Sequence, residues 1–421
     1  MQPATTAADE SQSFHFDAMQ RPAKSSPIGH IIIIIQENRT PDNLFQGLKG
    51  ADIANSGKNS LGQTVYLHSV PLEAPYDISH AHESFLTEWN NGQMNGFNLD
   101  THSGHCNNSG TCTYGYVPQS ETQPYLDMAS QYGFADRMFE SNQGPSFPAH
   151  QYLISGTSTI QQNSTWKAAD NPYARNGPNG GGCDAPQHVL VDSINPQGQL
   201  GNPVYPCFER PTLGDLLDAQ VVSWRYYQEE LGTGLWHPYD AIHHIRFGPD
   251  YKNVVAPSSA ILNDIASGKL AQVSWVSPQG SDSDHSGNHG KGGPAWVASV
   301  VNAVGSSKYW SDCAIFVTWD DWGGWFDHVT PPIVNSYELG MRVPLIAISP
   351  YAKQGYVSHT QYEFGSLLKF VEETFNTGSL NTTDARANSV SDMFTFKLRP
   401  RHFVRIKAPR FTVDPSVPDS D

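Results

Sequence analysis

Short apolar runs alternate along the chain with longer segments of helical period. Residues 30–35 read His-Ile-Ile-Ile-Ile-Ile. Such a β-branched run, without the polar alternation of a half-exposed strand, predicts a strand buried on both faces of a parallel sheet. Shorter apolar runs predict further strands over 133–138, 221–227, 273–276, 313–318 and 342–348. Between them the pattern predicts helices over 83–89, 125–132, 147–154, 212–217, 260–267, 296–304 and 363–375. Pro148 falls in the first turn of its helix, where the N–H it lacks would have no intrahelical partner. Strands alternating with helices predict an α/β sandwich, with a largely parallel central sheet flanked by helices. Residues 50–120 are loop-rich, and 161–211, dense in Asn, Gly and Pro, read as an excursion over the surface. With no internal repeat and no clean linker, the expected division is a flexible lead over 1–28, one folded domain over 29–405 and a tail over 406–421.

The polar residues at the strand ends carry the chemistry. The 30–35 strand runs directly into Gln36, Glu37, Asn38, Arg39 and Thr40, and ligands of parallel sheets bind at the carboxyl ends of strands. Ser146 follows the turn Gln143, Gly144, Pro145 and opens a predicted helix. The 313–318 strand ends at the pair Asp320 and Asp321. Oxygen donors of this kind suit a divalent cation. Two adjacent carboxylates repel each other in a dry site unless a cation or a proton lies between them. Each piece alone has an ordinary structural reading: a serine after Gly-Pro caps a helix, Glu-Asn caps a turn, and Asp-Asp is a solvated turn. No Gly-x-Ser-x-Gly elbow, His-Glu-x-x-His helix or phosphate loop is present.

Composition narrows the partners. A chain of 421 residues is ample for a large core. Its net charge of −16 argues against nucleic acid, whose backbone demands clustered Lys and Arg. No basic amphipathic segment suits an anionic membrane surface, and no apolar run approaches the ~20 residues of a membrane span. An anionic substrate stays compatible with this charge if a cation reverses the local field. Among five cysteines, Cys106 and Cys112 bracket a short polar loop that one bridge would close. Cys183 follows a glycine run and Cys207 lies near a Pro-rich turn, which predicts a second bridge. Cys313, in an apolar run, reads as a buried free thiol. Two bridges imply an oxidising compartment. The first 25 residues, polar and rich in Ala, Ser and Thr, carry no signal peptide and read as a mature N-terminus. The expected location is secreted or periplasmic, with any export signal outside this sequence.

Three segments then narrow the reading. Ile-Ile-Gln-Glu-Asn-Arg-Thr-Pro-Asp-Asn-Leu-Phe (34–45), Gly-Pro-Ser-Phe-Pro (144–148) and Trp-Asp-Asp-Trp-Gly-Gly-Trp-Phe-Asp-His-Val (319–329) resemble the bacterial phospholipase C and acid phosphatase family. That family includes the plant non-specific phospholipases C and has an alkaline-phosphatase-like core. The resemblance extends from about residue 28 to 404 through Val-Ser-Trp-Val-Ser-Pro (273–278), Ser-Asp-His (283–285) and Arg-Val-Pro-Leu-Ile-Ala-Ile-Ser-Pro-Tyr-Ala (342–352).

The resemblance implies that Glu37, Asn38, Ser146, Asp320 and Asp321 hold one or more divalent metal ions. Oxygen ligands point to Mg, Ca or Mn, and the alkaline-phosphatase-like core to Zn. It makes Ser146 the nucleophile of a phosphoserine mechanism, and His80 and His285 histidines near the phosphate. His82 competes with His80 for its role. His244 matches a third histidine position. His328 is either a catalytic neighbour or a brace for the acidic loop. Arg39 either binds phosphate or braces its own turn. The implied activity is phosphoric-ester hydrolysis by the 29–405 domain, of phospholipase C type or, as the alternative, acid phosphatase type. Trp89, Trp236, Trp322 and Trp325, read as exposed loop aromatics, favour a lipid substrate. A non-catalytic metal- or glycan-binding module fits poorly with a retained Ser146. A sulfatase would need an Arg where His150 stands.

Overall fold

The computed structural model describes residues 26–106, 110–174, 180–287, 290–397 and 399–412. The expected lead as far as residue 25 and the tail beyond 412 lie outside these described residues.

Eight strands form the main sheet: β1 (His30–Gln36), β2 (Gly133–Ala135), β3 (Trp224–Tyr227), β4 (Val254–Val255), β5 (Val273–Val276), β6 (Cys313–Trp319), β7 (Leu345–Ile348) and β8 (Tyr356–Ser358). Their order across the sheet is β4-β3-β5-β1-β6-β7-β2-β8. Only β7 runs against its neighbours, so the sheet is largely parallel, as the alternation of elements predicts. β1 is central and its isoleucines are fully buried, which accounts for a run without polar alternation.

Helices α1 (His82–Trp89), α2 (Gln119–Gln131), α3 (Ser146–Ser155), α4 (Leu213–Ala219), α5 (Ala260–Ala266), α6 (Gly293–Gly305) and α7 (Phe364–Phe375) follow the predicted order. On β6, the Trp319 ring meets Tyr125 of α2 at 5.1 Å and the Phe316 ring meets Phe370 of α7 at 5.3 Å. Residues three apart on a strand point to opposite faces, so α2 and α7 cover opposite sides of the sheet. α2 packs with α6, and α3 packs with α7 and α4. These layers bury one large apolar cluster around β1, β5 and β6.

Where boundaries shift, a residue explains the shift. The strand predicted from 221 begins at Trp224, because Val221 adopts φ 54° in an exposed turn. The strand predicted from 342 begins at Leu345, because Pro344 has no N–H for the ladder. The run 133–138 divides between β2 and a separate short strand, Met138–Phe139, paired with Tyr362–Glu363. The 161–211 excursion is anchored by a strand pair, Lys167–Ala168 with Ser193–Ile194, and buries Val189, Val191 and Phe208. Beyond residue 405 the chain stays packed on α6: Ile406 exchanges two hydrogen bonds with the Asn302 side chain, and the Phe411 ring lies 4.9 Å from Trp296. Cys106–Cys112 and Cys183–Cys207 are bridged, and Cys313 is a buried thiol on β6. Among the described residues no helix is long and apolar enough to cross a membrane.

Candidate active site

The register of the central strands builds the site. β1 and β6 pair in parallel over seven rungs, from His30 with Cys313 to Gln36 with Trp319. Their carboxyl ends therefore emerge side by side, placing Glu37 and Asn38 against Asp320 and Asp321. Asn38 turns the chain at φ 58°, a left-handed conformation that asparagine tolerates better than most residues. Its N–H donates to Asp320 Oδ1 at 3.2 Å. The acidic loop closes on this turn through Gly323, at φ 63°, whose N–H donates to Asp321 Oδ1 at 2.7 Å. A Cβ on Gly323 would sit 2.4 Å from the Asn38 carbonyl oxygen, so only glycine permits the approach.

Ser146 is the first residue of α3, and the next N–H, that of Phe147, donates to Asn171 Oδ1 at 2.9 Å. Ser146 Oγ lies 3.2 Å from Glu37 Oε2 and 3.2 Å from Asp321 Oδ2. One turn further along α3, His150 Nε2 lies 3.0 Å from Glu37 Oε1 and 3.8 Å from Asp320 Oδ2. The Glu37, Ser146, His150, Asp320 and Asp321 side chains are all buried. Asn38 Oδ1 and Asp320 Oδ2 have no hydrogen-bond partner, an expensive arrangement for buried oxygens. Two such acceptors beside the Glu37 and Asp321 carboxylates and a hydroxyl fit a divalent cation, and the expected set of Glu37, Asn38, Ser146, Asp320 and Asp321 is brought together.

The histidines divide. His80 Nδ1 donates to Ile78 O at 2.8 Å, and His80 Nε2 lies 2.9 Å from Asn38 Nδ2. The His285 ring is 5.7 Å from the His80 ring, with Nδ1 donating to Ser286 O at 2.7 Å. His80 thus meets the site through Asn38, and His285 lies next to His80. His82, the competitor, donates from Nδ1 to Gln143 O at 2.6 Å. Burial draws protons off His80, but Asp321 and Asp77 outweigh it and hold the ring up at about 9. A cation on the carboxylates would withdraw much of that push. Burial, and then the adjacent Asp320, push Asp321 well above the usual carboxylate range. Burial pulls His150 down to about 4.

Three expected roles are not where the structure puts the side chains. His244 is clamped between Glu209 Oε1 at 2.5 Å and Asp215 Oδ1 at 3.0 Å, a pairing that ties α4 to the following segment. His328 lies between Asp42 Oδ2 at 2.7 Å and Asp52 Oδ1 at 3.0 Å, in a network where Arg342 holds Asp327 in a fork. That network braces the base of the acidic loop. Arg39 spends its donors inside the fold, on Asp284 O at 2.7 Å, Leu72 O at 2.6 Å and Asn43 Oδ1 at 3.2 Å, and stacks on Trp325. With the side chain fully buried, this is the bracing role rather than the phosphate contact. Trp236, Trp322 and Trp325, expected as exposed aromatics, are core residues.

His150, Asn171 and Glu140 join the site beyond the residues expected there. His150 carries a usable signal, since residues four apart on a helix share a face and His150 follows Ser146 by four. Glu140 is buried at the site's edge, where burial and then Asp321 push its carboxyl well above the ordinary range. Only the fold brings Glu140 and Asn171 there.

Fold and site define an α/β protein with a buried hydroxyl set among carboxylates at the carboxyl edge of its sheet. The chain belongs to the Phosphoesterase family, whose model matches residues 28–378. It is 26% identical to the non-hemolytic phospholipase C of Burkholderia pseudomallei, over 85% of this chain and 57% of that protein. It is 24% identical to non-specific phospholipase C1 of Arabidopsis thaliana, over 95% of this chain and 77% of that protein. The chain thus spans little more than half the length of the Burkholderia relative. A solved alkaline phosphatase superfamily protein from Vibrio parahaemolyticus aligns over 88% of this chain and 72% of its own, at 10% identity and a TM-score of 0.41.

Proposed function

We propose that the chain is a metal-dependent phosphoric-ester hydrolase of phospholipase C type, cleaving a phosphodiester through a phosphoserine at Ser146. The observation that carries this reading is the buried Ser146 hydroxyl, at the start of a helix and 3.2 Å from a carboxylate oxygen on either side. A serine so placed must shed its hydroxyl proton: the helix N-terminus eases the negative charge left on Oγ, and a flanking carboxylate, Glu37 or Asp321 at 3.2 Å, is placed to take the proton. Ser146 Oγ bonds to phosphorus as the ester oxygen leaves, and His80 or His285 protonates that leaving alkoxide. Water then hydrolyses the phosphoserine and restores the hydroxyl. A divalent ion held by Glu37, Asn38, Ser146, Asp320 and Asp321 would supply Lewis acidity and offset the charge of the phosphoryl oxygens.

The names of the relatives support a phospholipid diester as substrate. The burial of Trp236, Trp322 and Trp325 removes one argument for a lipid surface and keeps phosphomonoester hydrolysis as the second reading. Two disulfides support a secreted or periplasmic location. The test is a panel of a phosphomonoester, a phosphocholine diester and a phospholipid, each assayed before and after chelation and with single metals restored. Hydrolysis of the diester and the lipid, lost on chelation, is expected. Turnover of none of the three, or turnover indifferent to chelation, refutes the proposal.

A further inference from the structure

We propose that His150 is a nitrogen ligand of this centre, making it a mixed imidazole–carboxylate site for a zinc-class ion rather than an all-oxygen cage for magnesium or calcium. The inference rests on the metal-dependent reading above and adds a residue and a metal class to it.

The positions of the hydrogens around His150 decide what its Nε2 can do. His150 Nδ1 is 3.2 Å from Tyr226 Oη, and Tyr226 Oη is 3.1 Å from the Trp236 carbonyl oxygen. A carbonyl only accepts, so the one phenolic hydrogen of Tyr226 goes to Trp236. Toward His150 the phenol oxygen is then the acceptor, and the hydrogen between them belongs to Nδ1. A neutral imidazole with its hydrogen on Nδ1 presents a lone pair at Nε2. That lone pair faces Glu37 Oε1 at 3.0 Å and Asp320 Oδ2 at 3.8 Å.

Three electron-rich atoms pointed at one another repel, and a shared cation turns the repulsion into ligation. These three donor atoms all lie within 4.8 Å of one another, in fully buried residues. Donors around a tetrahedral zinc stand about 3.3 Å apart, so little movement is required. Asp320 Oδ2 and Asn38 Oδ1 supply the independent sign, since both are buried and without a hydrogen-bond partner. The rival arrangement, an imidazolium donating from Nε2 to Glu37, would leave both oxygens bare. Tyr226 then acts as the outer partner that fixes the tautomer of a metal-bound histidine. Imidazole among the donors shifts preference toward zinc-class ions and away from Mg and Ca.

The experiment needs no turnover. The purified protein is stripped with a chelator and reloaded with Zn²⁺ alone. X-ray absorption at the zinc edge then reads the ligand shell, and titration reads the affinity. One imidazole is expected in the parent shell, with Zn²⁺ retained against a large excess of Mg²⁺ or Ca²⁺. His150→Gln should lose the imidazole signature and bind Zn²⁺ at least about tenfold more weakly, with circular dichroism confirming its fold. Full zinc occupancy with an oxygen-only shell in the parent protein overturns the His150 assignment alone, and this measurement does not depend on any variant folding. A parent protein that takes up no divalent ion overturns the metal-dependent reading and this inference together.

Discussion

Gln36 and Trp319 are partners on the last rung between β1 and β6, and the Asp320 N–H continues that ladder to Gln36 O at 3.0 Å. One further hydrogen bond past the strands thus fixes the spacing of Glu37 and Asn38 against Asp320 and Asp321. If that spacing serves a cation, Asp320→Asn and Asp321→Asn each remove a charge while keeping an oxygen donor. Metal content by elemental analysis should fall, affinity should weaken by about tenfold or more, and excess metal should partly restore turnover. Unchanged metal stoichiometry with normal rates in both variants would take the aspartates out of the centre.

Ser146→Ala removes the one hydroxyl lying between Glu37 and Asp321. Turnover should drop by about a thousandfold or more, roughly 4 kcal/mol of barrier. The helix should survive, because its start is held by the Phe147 N–H bond to Asn171 rather than by the serine side chain. Steady-state rates beside a circular dichroism melt decide it. A folded variant at near-parent rates cannot be reconciled with a nucleophilic serine.

How much of this was legible depended on whether neighbours in sequence or in space carry the information. The Ile31–Ile35 run states its own burial, and strand ends followed at once by polar side chains point to the sheet edge. Glu37, Asn38, Asp320 and Asp321 are legible for that reason. Roles set by long-range partners are not. Arg39 looks like a phosphate ligand until Leu72 and Asp284 turn out to hold its donors. His328 looks catalytic until Asp42 and Asp52 take both its nitrogens. Trp322 and Trp325 sit in a glycine-rich loop that reads as exposed, yet the loop is folded inward over the site and both rings are buried.

The two bridges should differ in what they contribute. Cys183–Cys207 spans a sequence separation of 24 and Cys106–Cys112 one of 6. Loop-closure entropy then assigns about 3.5 kcal/mol to the longer and about 2.4 kcal/mol to the shorter. Paired Cys→Ser variants compared by denaturant unfolding should show the larger loss for Cys183/Cys207. Non-reducing peptide mapping should find no peptide linked through Cys313, which is buried on β6. A larger loss from the shorter loop would contradict the entropic account.

His244, a structural histidine by its contacts, should betray itself through the pH dependence of stability rather than of turnover. Burial draws protons off His244, but the hydrogen bonds its ring donates to Asp215 and Glu209, reinforced by their charges, outweigh it and raise the ring to about 9. The unfolded chain holds an ordinary histidine near 6.5. A group whose folded value is raised stabilises fully below the unfolded value and loses that contribution as pH climbs through the folded one. The His244 clamp should therefore be complete at pH 6, decline between about 6.5 and 9, and be spent at pH 10. His244→Gln should cost about 1–3 kcal/mol at pH 6 and little at pH 10, read by urea unfolding at both values. Because neither clamp partner belongs to the Ser146 centre, its turnover at neutral pH should stay within about twofold of the parent. A stability loss independent of pH would mean that His244 works through packing alone. Collapse of turnover in a folded variant would return it to the active site, against its geometry.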